Sequence, residues 1–169
     1  MKLETRAIFL FIFLACAGLV GYAVYLQETK NLLPCPLCVV QRVAYWLLGL
    51  TALLAFLHNP RATGRRVYSG FMAVFAFAGA GVALRQVWLV RHPNSFECGV
   101  SLEEKFLNAL PIAKWWPQMF EANGDCARAT WKFMSLTIPD LSLICFVIFG
   151  SLAIYIFFAR NGQRRFVSP

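Results

Sequence analysis

Four long apolar runs constrain this chain more than any other feature: Ala7 to Leu26, Val39 to Leu57, Val67 to Val90 and Leu141 to Ala159. Crossing a bilayer takes about 20 largely apolar residues in a helix. Backbone N–H and C=O groups inside lipid must find partners within the protein, which leaves helices and closed barrels as spanning structures. Runs of this length, without period-two alternation, predict helices. A soluble fold of 169 residues has too small an interior for a composition that is 59% hydrophobic and 14% charged. The expectation is an all-α membrane protein, residues 1–169 forming one domain built as a four-transmembrane-helix bundle in a lipid bilayer.

The net charge of +8 raises nucleic-acid binding, but the basic residues form no stripe interleaved with stacking aromatics, so no nucleic-acid partner is expected. They follow membrane topology instead. Lys2 and Arg6 precede the first run, Arg61, Arg65 and Arg66 follow the second, and Arg160, Arg164 and Arg165 follow the fourth. By the positive-inside rule these segments face the cytoplasm. The segment at 27–38 sets Glu28 against Lys30, and the one at 91–140 holds five basic and six acidic residues, so neither carries a positive excess. Both termini are therefore expected inside, and these two loops outside.

A cleaved signal peptide is the rival reading of the N-terminus. The first run is too long for a typical signal core and has no clear small-residue cleavage site. Phe13-Leu14-Ala15-Cys16 partly resembles a lipoprotein processing site, yet hydrophobicity continues to Leu26. Retention as a membrane anchor is expected. Glycines at 18 and 21 in run one, and at 70, 79 and 81 in run three, predict close helix approach. In the long outer loop, Leu102, Phe106, Leu107 and Leu110 share a helical face opposite Glu103, Glu104, Lys105 and Asn108, which predicts a short interfacial helix. Trp115 and Trp116 suit the headgroup belt.

The chemistry sits in the cysteines. Cys35-Pro36-Leu37-Cys38 lies where the first outer loop meets run two, with Cys98 and Cys126 in the long outer loop. Proline is tolerated at a helix start, so the motif is expected at the N-terminus of the second helix. There both sulfurs lie within bonding reach of each other, at the positive end of the helix dipole. A disulfide between Cys98 and Cys126 would close a loop of about 28 residues and contribute about 3 kcal/mol in the chain-entropy model. Three uses remain open: redox-active pairs, structural crosslinks, or a metal site using all four outer thiols. The last corresponds to a membrane metal-binding or transport protein. The outside placement favours disulfide chemistry.

Arg42 stands at i+4 from Cys38, on the same helical face and about 6 Å deeper by the helical rise. Arg85, five residues before the end of run three, is roughly 8 Å deep from the same side. Charges within membrane helices are costly and mark function. Both guanidiniums are candidates to assist a thiolate and to donate to an oxygen of a bound ring, with snorkelling to headgroups as the alternative. His92, just beyond run three, is a candidate for the same ligand or for proton transfer. Cys16 and Cys145 lie inside runs and read as inert, and His58 has no evident role.

These residues resemble the DsbB family of quinone-linked disulfide bond formation proteins of Gram-negative bacterial inner membranes. The resemblance covers nearly the whole chain. It is carried by Pro34 to Arg42 (Pro-Cys-Pro-Leu-Cys-Val-Val-Gln-Arg), Lys114 to Phe120 (Lys-Trp-Trp-Pro-Gln-Met-Phe), Asn123 to Cys126 (Asn-Gly-Asp-Cys) and a cysteine at position 98. It implies a multi-pass inner-membrane enzyme with its redox cysteines in the periplasm. A DsbA-like periplasmic thiol oxidase, in its reduced form, would attack a Cys98–Cys126 disulfide at Cys98. Cys126 would then attack Cys35, and Cys38, assisted by Arg42, would pass electrons to ubiquinone or menaquinone from the membrane quinone pool. His92 matches a family histidine only roughly. Vitamin K epoxide reductase-like proteins couple thiols to quinones too, but they place their cysteine pairs differently.

Overall fold

The computed structural model describes residues 2–30, 35–92, 132–133 and 136–158. Four helices carry the fold: α1 (Lys2–Lys30), α2 (Pro36–His58), α3 (Ala62–Arg91) and α4 (Ile138–Phe158). A minimal antiparallel pairing of β1 (Lys132–Phe133) with β2 (Leu136–Thr137) leads into α4, with Lys132 opposite Thr137 and Phe133 opposite Leu136. All four helices are long and apolar enough to cross a membrane. The protein is an all-α, multi-pass membrane protein. Cys98, Cys126, the interfacial helix expected at 102–110 and the tryptophans at 115 and 116 lie outside the described residues.

Each helix buries one stripe at helical spacing and turns the rest outward. The stripe on α1 is Phe9, Ile12, Cys16 and Val20, and on α4 it is Phe146, Phe149, Ala153 and Ile156. On α2 it runs through Tyr45, Leu48, Ala52 and Ala55, and on α3 through Met72, Ala76 and Ala83. The outward faces carry Phe11, Leu14, Leu47, Leu54, Phe71, Phe77, Trp88, Val147, Tyr155 and Phe158, all exposed. That much uncovered apolar surface on every side is what a lipid solvent accommodates and water does not.

α3 packs most extensively on α4, while α2 lies against both α1 and α3. Small residues on the α3 stripe permit this approach. At Gly79 a methyl group would overlap the ring of Phe146, which is itself 1% exposed. Tyr45 of α2 stacks on Phe146 with centroids 4.1 Å apart. Its hydroxyl reaches the carbonyl oxygen of Ser142 at 3.2 Å and the Ser142 hydroxyl at 3.1 Å, so three helices meet at this ring pair. The expectation that Gly18, Gly21 and Gly81 line packing surfaces is corrected here. A Cβ at any of them would meet nothing within 4 Å, because the apolar stripe of each helix falls on another face.

The helices alternate in direction. Contacts between Arg42 and Gln27, Gln41 and Gln86, and Arg91 and Asp140 gather the end of α1, the start of α2, the end of α3 and the start of α4 at one end of the bundle. At the other end Arg6 lies over the Phe56 ring, 5.0 Å from its centroid, and His58 Nδ1 is 3.1 Å from the Tyr68 hydroxyl. At the start of α4 the Asp140 carboxylate reaches back to Thr137. Thr137 donates its backbone N–H at 3.0 Å and its hydroxyl at 2.6 Å to Asp140 Oδ2, which occupies a backbone donor left free at a helix start. The segment joining α3 to α4, which contains Cys98 and Cys126, leaves and re-enters the bundle at the end where Cys35 and Cys38 sit.

Candidate active site

Cys35 is the N-cap of α2, with extended backbone (φ −80°, ψ 160°), and Pro36 follows it in the first turn. Proline there supplies a preset φ and lacks an N–H that the helix would otherwise leave unpaired. The cap is a sulfur one: Cys38 N–H donates to Cys35 Sγ at 3.3 Å. No disulfide joins the two, and Cys35 donates to Cys38 Sγ across 2.9 Å. Cys35 is buried against Leu37 and Leu89, while Cys38 is half-buried, with Val82 packed beside this cluster. Of the two residues, Cys35 is the more buried.

The polar partner of both sulfurs comes from α3. Gln86 Nε2 donates to Cys38 Sγ at 3.1 Å and to Cys35 Sγ at 3.3 Å. Its carbonyl oxygen is held by Gln41 Nε2 of α2 at 2.6 Å. Both glutamines are buried, 5% and 6% exposed, so the amide pair is a desolvated bridge between helices with its N–H groups aimed at the dithiol. Neither residue was singled out from the sequence, which directed attention to charges. A signal existed: Gln86 falls three residues after Ala83 and seven after Gly79, on the small-residue stripe of α3.

Arg42 is one turn further into α2 and is buried, at 8% exposure. Its Nη2 donates to Gln27 Oε1 near the end of α1 at 2.9 Å, and it acts electrostatically on Cys38. Arg85 lies on the exposed face of α3, because a helix turns about 100° per residue and Gln86 takes the direction of the dithiol. His92 caps α3 and is exposed. Its Nδ1 lies 3.1 Å from the Trp88 carbonyl oxygen, and its ring stacks on Trp88 at 5.2 Å. Cys16 and Cys145 are free thiols in the bundle interior, Cys16 buried and Cys145 partly so. Among the described residues no three His, Cys, Asp or Glu side chains gather as a metal site.

A Cys-x-x-Cys dithiol capping a membrane helix, beside aliphatic side chains and touched by amide donors, is the arrangement of a membrane protein equipped for thiol–disulfide exchange. The chain matches the family described as "Disulfide bond formation protein DsbB" over residues 5–156. It is 67% identical over 159 residues to Disulfide bond formation protein B of Nitrosospira multiformis, covering 94% of this chain and 95% of that one. The protein of that name from Nitrosomonas europaea is 63% identical over 148 residues (88% and 90% covered), and that from Aromatoleum aromaticum 43% over 160 residues (94% and 96%). The chain belongs to the DsbB family of disulfide bond formation proteins, membrane disulfide oxidoreductases.

Proposed function

We propose that this protein reoxidises a DsbA-like periplasmic thiol oxidase and delivers the two electrons to a membrane quinone, ubiquinone or menaquinone. The carrying observation is the dithiol itself: Cys35 and Cys38 in mutual contact at the bundle end where the Cys98 and Cys126 segment attaches.

In this reading the partner's thiolate attacks Cys98, breaking the Cys98–Cys126 disulfide and forming a mixed disulfide. The partner's second thiol resolves it, leaving the partner oxidised and Cys98 and Cys126 reduced. Cys126 then attacks Cys35 in the Cys35–Cys38 disulfide and expels Cys38 as thiolate. Attack of Cys98 on the resulting Cys126–Cys35 bond restores the loop disulfide and leaves Cys35 and Cys38 reduced. A quinone takes up two electrons and two protons as the Cys35–Cys38 disulfide re-forms. The residues fit such an acceptor. Cys38 is the less buried of the two cysteines, and the buried Arg42 guanidinium one turn further into α2 is a donor suited to a ring oxygen.

Energetics require an acceptor of this kind. A DsbA-type oxidant stands near about −120 mV, whereas ordinary structural disulfides lie below about −300 mV. Oxidising the first with the second would be uphill by about 8 kcal/mol for two electrons. A more oxidising, lipid-dissolved acceptor at the membrane end of the dithiol reverses that sign. The orientation that follows puts both termini in the cytoplasm and all four thiols in the periplasm of a bacterial inner membrane.

The test mixes purified protein with reduced DsbA and a short-chain quinone, following thiol loss against quinol formation. One quinol per two thiols is expected. Thiol oxidation that proceeds equally without quinone under anaerobic conditions would overturn the proposal.

A further inference from the structure

We propose that Gln86 is a catalytic residue of the dithiol, stabilising the Cys38 thiolate through its amide N–H, and that Gln41 is the positioning residue that fixes the amide's orientation. This rests on the reading that Cys38 carries thiolate during turnover, and it adds neutral residues from two helices to a site otherwise described by cysteines and arginine.

The geometry carries the assignment. A glutamine amide has one acceptor and two donors, and its orientation decides whether oxygen or nitrogen faces the sulfurs. Gln41 Nε2 donates to Gln86 Oε1 at 2.6 Å, which leaves the donor end of Gln86 facing Cys38 at 3.1 Å and Cys35 at 3.3 Å. Cys38 Sγ thus receives the Gln86 N–H as well as the Cys35 S–H at 2.9 Å, and it is the sulfur where negative charge is best held. When Cys38 leaves as thiolate in exchange, that amide is already aimed and needs no reorganisation. Among the described residues, the charged or titratable groups acting on this sulfur are Cys35 and Arg42, both on α2. The Arg91–Asp140 pair at the same bundle end is engaged with itself at 3.3 Å. α3 therefore contributes its dipole through Gln86.

The test reads thiolate directly, without quinone. The full-length protein, reduced in detergent, is treated with iodoacetamide across a pH series, and Cys38 alkylation is quantified by peptide mass spectrometry. For Gln86→Leu the rate at pH 7 is expected to fall roughly tenfold, as for one lost hydrogen bond to a charged group, while the plateau rate at high pH stays unchanged. Gln41→Leu, which frees the amide to rotate, should fall by about threefold with the same plateau. The double variant Gln41→Leu/Gln86→Leu leaves no buried amide unpaired, so it should fold at least as well as either single change, and it should remain as slow at pH 7 as Gln86→Leu.

Recovery of pH 7 reactivity in the double variant would show that the single changes acted through folding, and would overturn the proposal. So would superimposable pH profiles, or a loss equal at every pH. A shifted profile in a protein whose wild type reduces no quinone would sink the quinone reading and leave this one standing. Quinone turnover with unshifted profiles would do the reverse.

Discussion

Replacing Gly79 by alanine tests the architecture that holds the site. The added methyl would overlap the Phe146 ring, and the ring has little room to retreat. It is 1% exposed, and Tyr45 stacks on it at 4.1 Å, with the Tyr45 hydroxyl tied to Ser142. Carbon atoms sit best about 3.5–4.0 Å apart, so α3 and α4 must separate by roughly 1 Å or the ring must leave its rotamer. Overpacking of this kind costs about 1–3 kcal/mol. Gly81, two residues on, is the internal control: a Cβ there meets nothing within 4 Å, and removing glycine from a helix interior stabilises by about 0.5–1 kcal/mol. The two alanine variants should therefore differ by roughly 1.5–4 kcal/mol with opposite signs. Thermal or SDS unfolding in detergent, followed by tryptophan fluorescence, measures that difference. Phe146→Leu in the Gly79→Ala background should restore part of the loss. The packing argument is refuted if Gly79→Ala and Gly81→Ala shift stability alike, or if the Phe146 change brings no recovery. Gly79 and Gln86 are seven residues apart on one face of α3, about 10.5 Å along the axis, so Gly79→Ala should also lower Cys38 reactivity at pH 7.

Serine at Cys35 or Cys38 should abolish oxidation of reduced DsbA in the thiol-loss assay, whereas serine at Cys16 or Cys145 should leave turnover near wild type. Gln27→Leu removes the acceptor that holds Arg42 and should raise KM for a short-chain quinone about fivefold, on the scale of one hydrogen bond, with kcat nearly unchanged. Thr137→Val removes a hydroxyl donor to Asp140 and should cost about 0.5–1.5 kcal/mol in unfolding experiments, on the scale of one hydrogen bond. Arg91→Gln breaks an ion pair whose Arg91 side chain is 67% exposed and should change stability by less than about 1 kcal/mol.

The bilayer made the helices legible. Lipid leaves few ways to satisfy a backbone, so each apolar run maps onto a helix, and Pro36 marks the start of α2 where the structure begins it. The dithiol and Arg42 announced themselves by residue type and spacing. Rotation of the helices about their axes did not. Arg85 and Gln86 are adjacent in sequence, yet one is exposed and the other reaches both sulfurs. The stripe through Met72, Ala76, Gly79 and Ala83 decides which faces inward, and that stripe is set by contacts with α4. Gly18 and Gly21 mislead for the same reason: a small residue permits close approach without stating which side of the helix is approached.

The use of amides rather than charges around the sulfurs follows from what the dithiol must do. In the proposed cycle the pair would alternate between a neutral disulfide and states with negative charge on Cys38, beside glutamines that are themselves buried. A lysine at position 86 would favour the thiolate but would stand as an uncompensated buried cation beside the disulfide, at a cost of several kcal/mol. An apolar residue there would avoid that cost and leave the thiolate without a donor. A glutamine clamped by a second glutamine offers a fixed dipole that is neutral in both redox states. Its own oxygen is satisfied by Gln41, which leaves its N–H groups to meet the change at sulfur. Arg42 supplies a full positive charge from a turn deeper, where it donates to Gln27 of a third helix.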